Sequence, residues 1–187
     1  MRIIAGKFRS RRLRSLRGLE IRPTSDRLRE TLFDVVTAGN PGALEGSVWL
    51  DLYAGTGTVG IEAVSRGAAM VYFVESSRRA AEIIHRNLRE LGIESGVEVW
   101  LHDANAAIRE LGGKLAQADF IFLDPPYRAQ DAYRGTLLRL SEFPLSETAV
   151  VIAEHEKKFD PGDKFGKLRK TRRIEQGDAA LSFYRRG

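Results

Sequence analysis

The sequence predicts an α/β fold in which a mostly parallel β-sheet carries helices on both faces and ends in an antiparallel pair. Three observations predict it. Short apolar runs at 48–52, 71–74, 97–101, 120–123 and 149–153 alternate with stretches of helical periodicity, and crossover through a helix leaves successive strands parallel. A glycine-rich loop follows the first run and opens a helix, as at the ligand-binding end of such sheets. Beyond the last run, 164–174 and 179–185 read as two strands with no helix between them, hence antiparallel neighbours.

In chain order, 2–9 and 12–14 read as two short extended segments, a hairpin or an ordered arm. Arg22-Pro23-Thr24-Ser25-Asp26 supplies a turn and a helix N-cap, with Pro23 forcing Arg22 into an extended conformation. Leu28, Leu32, Val35 and Val36 then recur at helical spacing until Gly39-Asn40-Pro41-Gly42 breaks the chain. The helix after the first strand closes at Arg66-Gly67, Ser76 caps a helix running to Gly92, and a further helix occupies about 130–141.

The chain has 187 residues, 43% of them hydrophobic, which suits one core rather than two. Cysteine is absent, so disulfides, thiolate nucleophiles and cysteine metal sites are excluded. His85, His102 and His155 lack ligand spacing, and no metal is expected. No apolar run reaches membrane-spanning length and no apolar core follows the first charges, so a soluble cytoplasmic protein is expected. The net charge of +5 is unevenly spread. Residues 1–29 hold ten Lys/Arg against two acids, 30–154 hold ten against eighteen, and 155–187 hold ten against five. A basic head and tail on an acidic body imply polyanion contact at the ends. For the head, arginines interleaved with apolar residues favour nucleic acid; for the tail, a solvated charged face serves equally well.

Asp51-Leu52-Tyr53-Ala54-Gly55-Thr56-Gly57-Thr58-Val59-Gly60 forms the glycine loop. Gly55-x-Gly57-x-x-Gly60 also satisfies the dinucleotide fingerprint, so the surrounding charges must decide. Asp51, on the strand, suits an ammonium group and serves a pyrophosphate badly. Glu75 ends the second strand, where its oxygens suit two ribose hydroxyls. Asp103-Ala104 follows the third strand, where the acid suits an adenine amino group. Singly, each carboxylate could equally be a helix N-cap or a solvated turn. Together they form an acidic rim that attracts S-adenosylmethionine, a sulfonium and ammonium, and repels a dinucleotide bearing two phosphates.

Asp124-Pro125-Pro126-Tyr127 follows the fourth strand. It could be a plain rigid turn, but an exocyclic base nitrogen needs what this turn offers. Its lone pair is delocalised, and two acceptors for its hydrogens, the Asp124 carboxylate and the Pro125 carbonyl, favour a tetrahedral nitrogen. Tyr127 offers a face for the base to stack on. A carboxylate near its reference pKa of about 4 is too weak to deprotonate an aryl amine first, so the proton should leave after methyl transfer.

These residues resemble the RsmD family of bacterial small-subunit (16S) rRNA guanine-N2 methyltransferases over nearly the whole chain. The resemblance rests on 2–9 with Arg12-Leu13, the distinctive segment 22–33, 51–60, 62–67 and 122–127. It implies a class I (Rossmann-like) fold with a mostly parallel seven-stranded sheet, an antiparallel C-terminal strand and an N-terminal hairpin. A basic arm (1–22) would precede the methyltransferase domain (23–187). Asp51, Gly55 and Gly57 would hold the methionine end, Glu75 the ribose, and Asp103 and Ala104 the adenine, with Tyr53 and Thr56 also binding the cofactor. Asp124, Pro125, Pro126 and Tyr127 would hold the guanine. Arg22, Thr24, Asp26 and Arg29 would border the mouth, and Arg9, Arg11 and Arg12 would grip RNA. The partner would be ribosomal RNA or a partly assembled small subunit, with a monomer the simpler expectation. Residues 175–178 keep only a loose likeness to the family's turn and receive no function.

Three other readings stand beside this one. A DNA adenine or cytosine amino-methyltransferase would share the turn, although 187 residues leave little room for a target-recognition domain. A nicotinamide oxidoreductase would leave the basic head and the Pro-Pro turn unexplained. A non-catalytic RNA-binding factor would leave the intact turn idle.

Overall fold

The computed structural model describes residues 1–15, 25–126 and 128–187. Arg22, Thr24 and Tyr127, each expected in the site, lie outside the described residues.

The elements run α1 (Asp26–Thr37), β1 (Val48–Leu52), α2 (Thr58–Ser65), β2 (Met70–Val74), α3 (Arg78–Leu91), β3 (Val97–Trp100), α4 (Ala104–Leu111) and a 3-10 turn (Gly112–Gln117). They continue as β4 (Phe120–Leu123), α5 (Gln130–Ser141), β5 (Val150–Glu156), β6 (Lys164–Phe165), β7 (Leu168–Gln176) and β8 (Ala179–Arg186). One sheet orders the strands β3-β2-β1-β4-β5-β8-β7-β6. The first five are mutually parallel, and β8, β7 and β6 extend the β5 edge in antiparallel fashion. The parallel and antiparallel parts fall where the sequence places them.

Three details differ from the sequence reading. The sheet has eight strands where seven were expected. Residues 164–174 do not form one strand, because the chain reverses at Gly166 (φ +54°), pairing Phe165 with Leu168. Ser77, not Ser76, caps α3: its side chain accepts from the Ala80 N–H at 3.3 Å.

The period of two in β1 sorts its side chains between two cores. Trp49 joins Leu32 and Phe33 of α1, Ile61 of α2 and Ile84 of α3. Leu50 and Leu52 join Ile108 of α4 and Leu137 of α5 on the other face. Gly60 is required by close packing, since a Cβ there would lie 2.3 Å from the Phe73 ring.

The head folds back on itself as expected of a hairpin, but among the described residues it holds one ladder pair, Arg2 with Arg12. It is anchored rather than free. Ile3 and Leu13 are buried in the α1 side of the core. The Glu62 carboxylate accepts from the Ile4 and Ala5 N–H groups at 2.8 and 2.9 Å and pairs with Arg66 at 2.9 Å.

Arg29 belongs to this anchor, which corrects its expected place at the RNA-facing mouth. It is 0% exposed, donates to the Arg2 carbonyl at 2.6 Å and to Asp26 at 2.9 Å, and lies 3.7 Å from Glu62, itself 0% exposed. A guanidinium sealed from solvent cannot reach a phosphate. Removing one partner of a buried pair costs about 3–5 kcal/mol, because the other charge is left without compensation. Arg29→Ala should therefore lower the urea midpoint by a corresponding amount and expose the arm to trypsin. An unchanged midpoint would contradict the anchoring role.

Candidate active site

The parallel strands end side by side. Leu52 pairs with Val74 and Leu123, and Leu123 with Ala153, so Tyr53, Glu75, Asp124 and Glu154 emerge in one row at the carboxyl edge. β1 lies between β2 and β4, where successive connections leave toward opposite faces and open a crevice.

The glycine loop sits in that crevice. Gly55 adopts φ +57° with nothing within 4 Å of where a Cβ would stand, so open space lies over the loop backbone. Its N–H donates to Glu75 at 2.7 Å, and the other Glu75 oxygen accepts from the Ser77 N–H at 2.7 Å. Glu75 thus braces the loop, with lone pairs left for further donors. The Thr56 carbonyl accepts from Asn87 at 3.1 Å, and Gly57 begins α2 in the left-handed conformation.

Asp51 is 1% exposed and accepts the Gly60 N–H at 2.9 Å. Burial raises its pKa to about 7; the Gly60 hydrogen bond opposes this, while the Glu75 and Glu154 charges add to it. Asp103 is exposed and caps α4, accepting the Ala106 N–H at 3.0 Å, with Ala104 buried behind it. Each rim acid therefore also has the backbone partner that a purely local reading gives it.

Asp124 is held well above the usual carboxylate range, first by burial and then by the Glu154 and Asp51 charges. This corrects the expectation of an ordinary pKa there. The next residue, Pro125, is buried and Pro126 is exposed. Tyr133 of α5 binds this turn: its hydroxyl donates toward the Pro125 carbonyl at 3.2 Å and the Glu154 carbonyl at 3.0 Å. One turn further along α5, the Thr136 hydroxyl meets the Tyr53 hydroxyl at 2.7 Å. Tyr53 has φ +63°, a conformation costing a non-glycine residue about 1–2 kcal/mol, which this contact helps to hold. α5 therefore ties the Asp124-Pro125-Pro126 turn and the head of the glycine loop to one helix face.

The structure thus brings Asp51, Tyr53, Gly55, Thr56, Gly57, Glu75 and Asp124 to one sheet end, with Asp103 and Ala104 after the neighbouring β3. Arg9, Arg11 and Arg12 are exposed on the arm. Sequence reasoning missed Glu154, Tyr133 and Thr136. Glu154 had a readable signal, an acid directly after the apolar run 149–153; the two α5 hydroxyls had none beyond helical spacing.

A family profile described as conserved hypothetical protein 95 matches residues 1–185. The ribosomal RNA small subunit methyltransferase D of Haemophilus influenzae is 32% identical over 157 residues, 84% of this chain and 79% of its own. The chain belongs to the RsmD family. Bacillus subtilis YlbH, provisionally named an rRNA methyltransferase, is 31% identical over 100% of this chain and 99% of its own. Among solved structures, Escherichia coli yhhF, provisionally termed a methyltransferase, superposes with a TM-score of 0.83 at 27% identity, over 100% of this chain and 97% of its own. The eight-stranded sheet of this RsmD-family chain is a Rossmann-like methyltransferase fold.

The Asp51 environment makes a pH prediction. With a usual value of 3.8 and about 7 in the fold, its protonated form favours the folded state. That contribution is fully present below about pH 4 and is lost as pH rises through about 7. Asp51→Asn mimics the protonated form. Its stability relative to the parent chain, from urea unfolding, should rise with pH by up to about 1.4 kcal/mol per unit and level off near pH 7. Parallel curves would contradict it.

Proposed function

We propose that this chain methylates the N2 amino group of a guanine in small-subunit (16S) ribosomal RNA, with S-adenosylmethionine as the methyl donor. One observation carries the reading: the Asp124-Pro125-Pro126 turn emerges beside the glycine loop, between Tyr53 and Glu154, among carboxylates that crowd the same sheet end. The RsmD relatives that bear a ribosomal RNA methyltransferase name support the reaction class. A Streptococcus mutans chain provisionally termed a SAM-dependent methyltransferase shares the fold, and SMU.776, provisionally termed a methyltransferase, is solved in complex with SAH.

The residues fit such a donor. Open space over Gly55 admits a ligand against the loop backbone, and the Glu75 and Glu154 charges acting on Asp51 favour a cation nearby. A dinucleotide would set its phosphates against those same carboxylates. Asp51, Gly55 and Gly57 would hold the methionine end, Glu75 the ribose, and Asp103 with Ala104 the adenine. The bound donor supplies an electrophilic methyl group.

The chain's own residues prepare the amine. The Asp124 carboxylate accepts one N–H and the Pro125 carbonyl the other, using the lone pair that Tyr133 leaves free. This biases the nitrogen toward a tetrahedral shape and fixes its direction, and holding reactants in line is worth up to roughly 7–11 kcal/mol. The raised pKa of Asp124 makes it a better acceptor for the proton that leaves the cationic nitrogen. Tyr127 would stack on the base. A paired guanine presents its amino group only to a groove, so the base must be unpaired or flipped out.

In this reading 1–22 is an RNA-contacting arm, through Arg9, Arg11, Arg12 and Arg22, on the methyltransferase domain 23–187, with Thr24 bordering the mouth. The chain acts in the cytoplasm as a monomer, on rRNA or a partly assembled subunit. Among the described residues no helix is long and apolar enough to cross a membrane.

Mass mapping of rRNA from a deletion strain should reveal one missing guanine methyl group, restored by the parent gene and not by Asp124→Ala. The variant should bind S-adenosylmethionine within about threefold of the parent, since Asp124 serves the acceptor. Turnover by Asp124→Ala, or a methyl group missing from DNA instead, would overturn the reading.

A further inference from the structure

We propose that the outer face of α3 is a second RNA-contact surface, which leads the substrate backbone from the arm to the cofactor end of the sheet. It rests on the reading above and adds a surface outside the arm and the active site.

The placement comes from both ends of the helix. α3 is capped by Ser77, whose N–H donates to Glu75, the residue bracing the glycine loop. Its last turns receive the arm. The Arg14 N–H donates to Asn87 at 2.8 Å, the Arg14 side chain pairs with Glu90 at 2.6 Å, and Arg11 donates to the Glu90 carbonyl at 3.0 Å. The helix therefore spans from the candidate active site to the arginine-rich arm.

The exposed side of that span is basic. Arg79 and Arg86 are exposed and lie two turns apart, about 10 Å along the axis. With Glu82 and Ile83 they face Leu13, Arg14 and Ser15 across a groove of about 590 Å³. Glu82 stands three residues after Arg79 and four before Arg86, spacings at which helical ion pairs form. Even so, among the described residues neither arginine makes an ion pair or a side-chain hydrogen bond. Arg78 and Arg79 also occupy the first turn of α3, which carries no acid, so both oppose the helix dipole. Charges placed against a local rule, with no partner among the described residues, point outward to a polyanion. In the basic tail, Arg169 and Arg172 are exposed and equally without an ion pair among the described residues. They lie on β7, however, away from the glycine loop, and other tail cations are held. There Lys170 is held by Asp160 and Asp163, and Lys157 and Arg173 by Glu175.

The occupant that fits is the sugar–phosphate backbone of the substrate RNA, since unpaired guanidinium groups along a groove match phosphates without reading bases.

The test uses full-length protein, a 16S rRNA transcript and purified small subunits, with binding measured from 50 to 300 mM KCl. Each phosphate contact contributes about 0.7–0.9 to the slope of log affinity against log salt. The double variant Arg79→Gln, Arg86→Gln should therefore lower the slope by about 1.5 and weaken binding to the transcript about tenfold at 100 mM KCl. Its melting temperature and S-adenosylmethionine affinity should stay at parental values. Arg169→Gln with Arg172→Gln, an equal loss of charge on β7, should change the slope by less than a third as much. A parental slope for the α3 double variant, or an equal fall in the β7 control, would overturn the inference. So would weaker binding to subunits alone with binding to the transcript intact, which would indicate a protein partner. Failure here is distinguishable from failure of the function: a parental α3 slope in a chain that still methylates rRNA sinks only this surface.

Discussion

Like charges are crowded into one end of a parallel sheet, and the site is organised around that crowding. Parallel register brings Glu75, Asp124 and Glu154 level with Tyr53 at the carboxyl edge, and Asp51 stands two residues before Tyr53 on β1. Burial and the neighbouring carboxylates raise the cost of ionising Asp51 and Asp124; Asp51 reaches about 7 as a result. Backbone N–H groups of Gly55, Ser77 and Gly60 offset part of the repulsion. The remainder is what a cationic ligand relieves. The same repulsion makes Asp124 a better hydrogen-bond acceptor than an exposed aspartate, so in the proposed reading one electrostatic arrangement serves both the methyl donor and the amine.

Such a site works only if its two loops keep their spacing, and the fold provides that from behind. Tyr133 holds the Pro125 carbonyl and Thr136 holds Tyr53, so a shift of α5 would move both loops together. On the opposite face, Glu62 and Arg29 fasten the basic head to α1 and α2. Gly6 permits the close approach there, since a Cβ would lie 1.8 Å from the Ser65 carbonyl. The arm is thus part of the core at Ile3 and Leu13 and part of the surface at Arg9, Arg11 and Arg12.

Much of this was legible in the sequence for simple physical reasons. Buried parallel strands are short apolar runs, and the residue that ends each run falls at the ligand edge, which exposed Asp51, Glu75 and Asp124 to inspection. The errors are equally specific. Arg29 looked like one more cation in a basic segment, because its partner Glu62 is 33 positions away and only folding joins them. The strand predicted over 164–174 broke because two residues suffice to reverse a chain. Adjacent serines made the α3 cap ambiguous by one position. Tyr133 and Thr136 were invisible because helical spacing assigns them to a buried face without saying which carbonyl or hydroxyl waits there.

The crowding itself is open to direct measurement. Calorimetry of S-adenosylmethionine binding across pH 5.5–8.5, in buffers of differing ionisation enthalpy, reports the protons exchanged on binding. A cation entering among partly protonated buried carboxylates must expel a proton. The account therefore predicts release of about one proton near pH 7, with affinity rising as pH rises to that point. Binding with no proton exchange and no pH dependence over this range would contradict it.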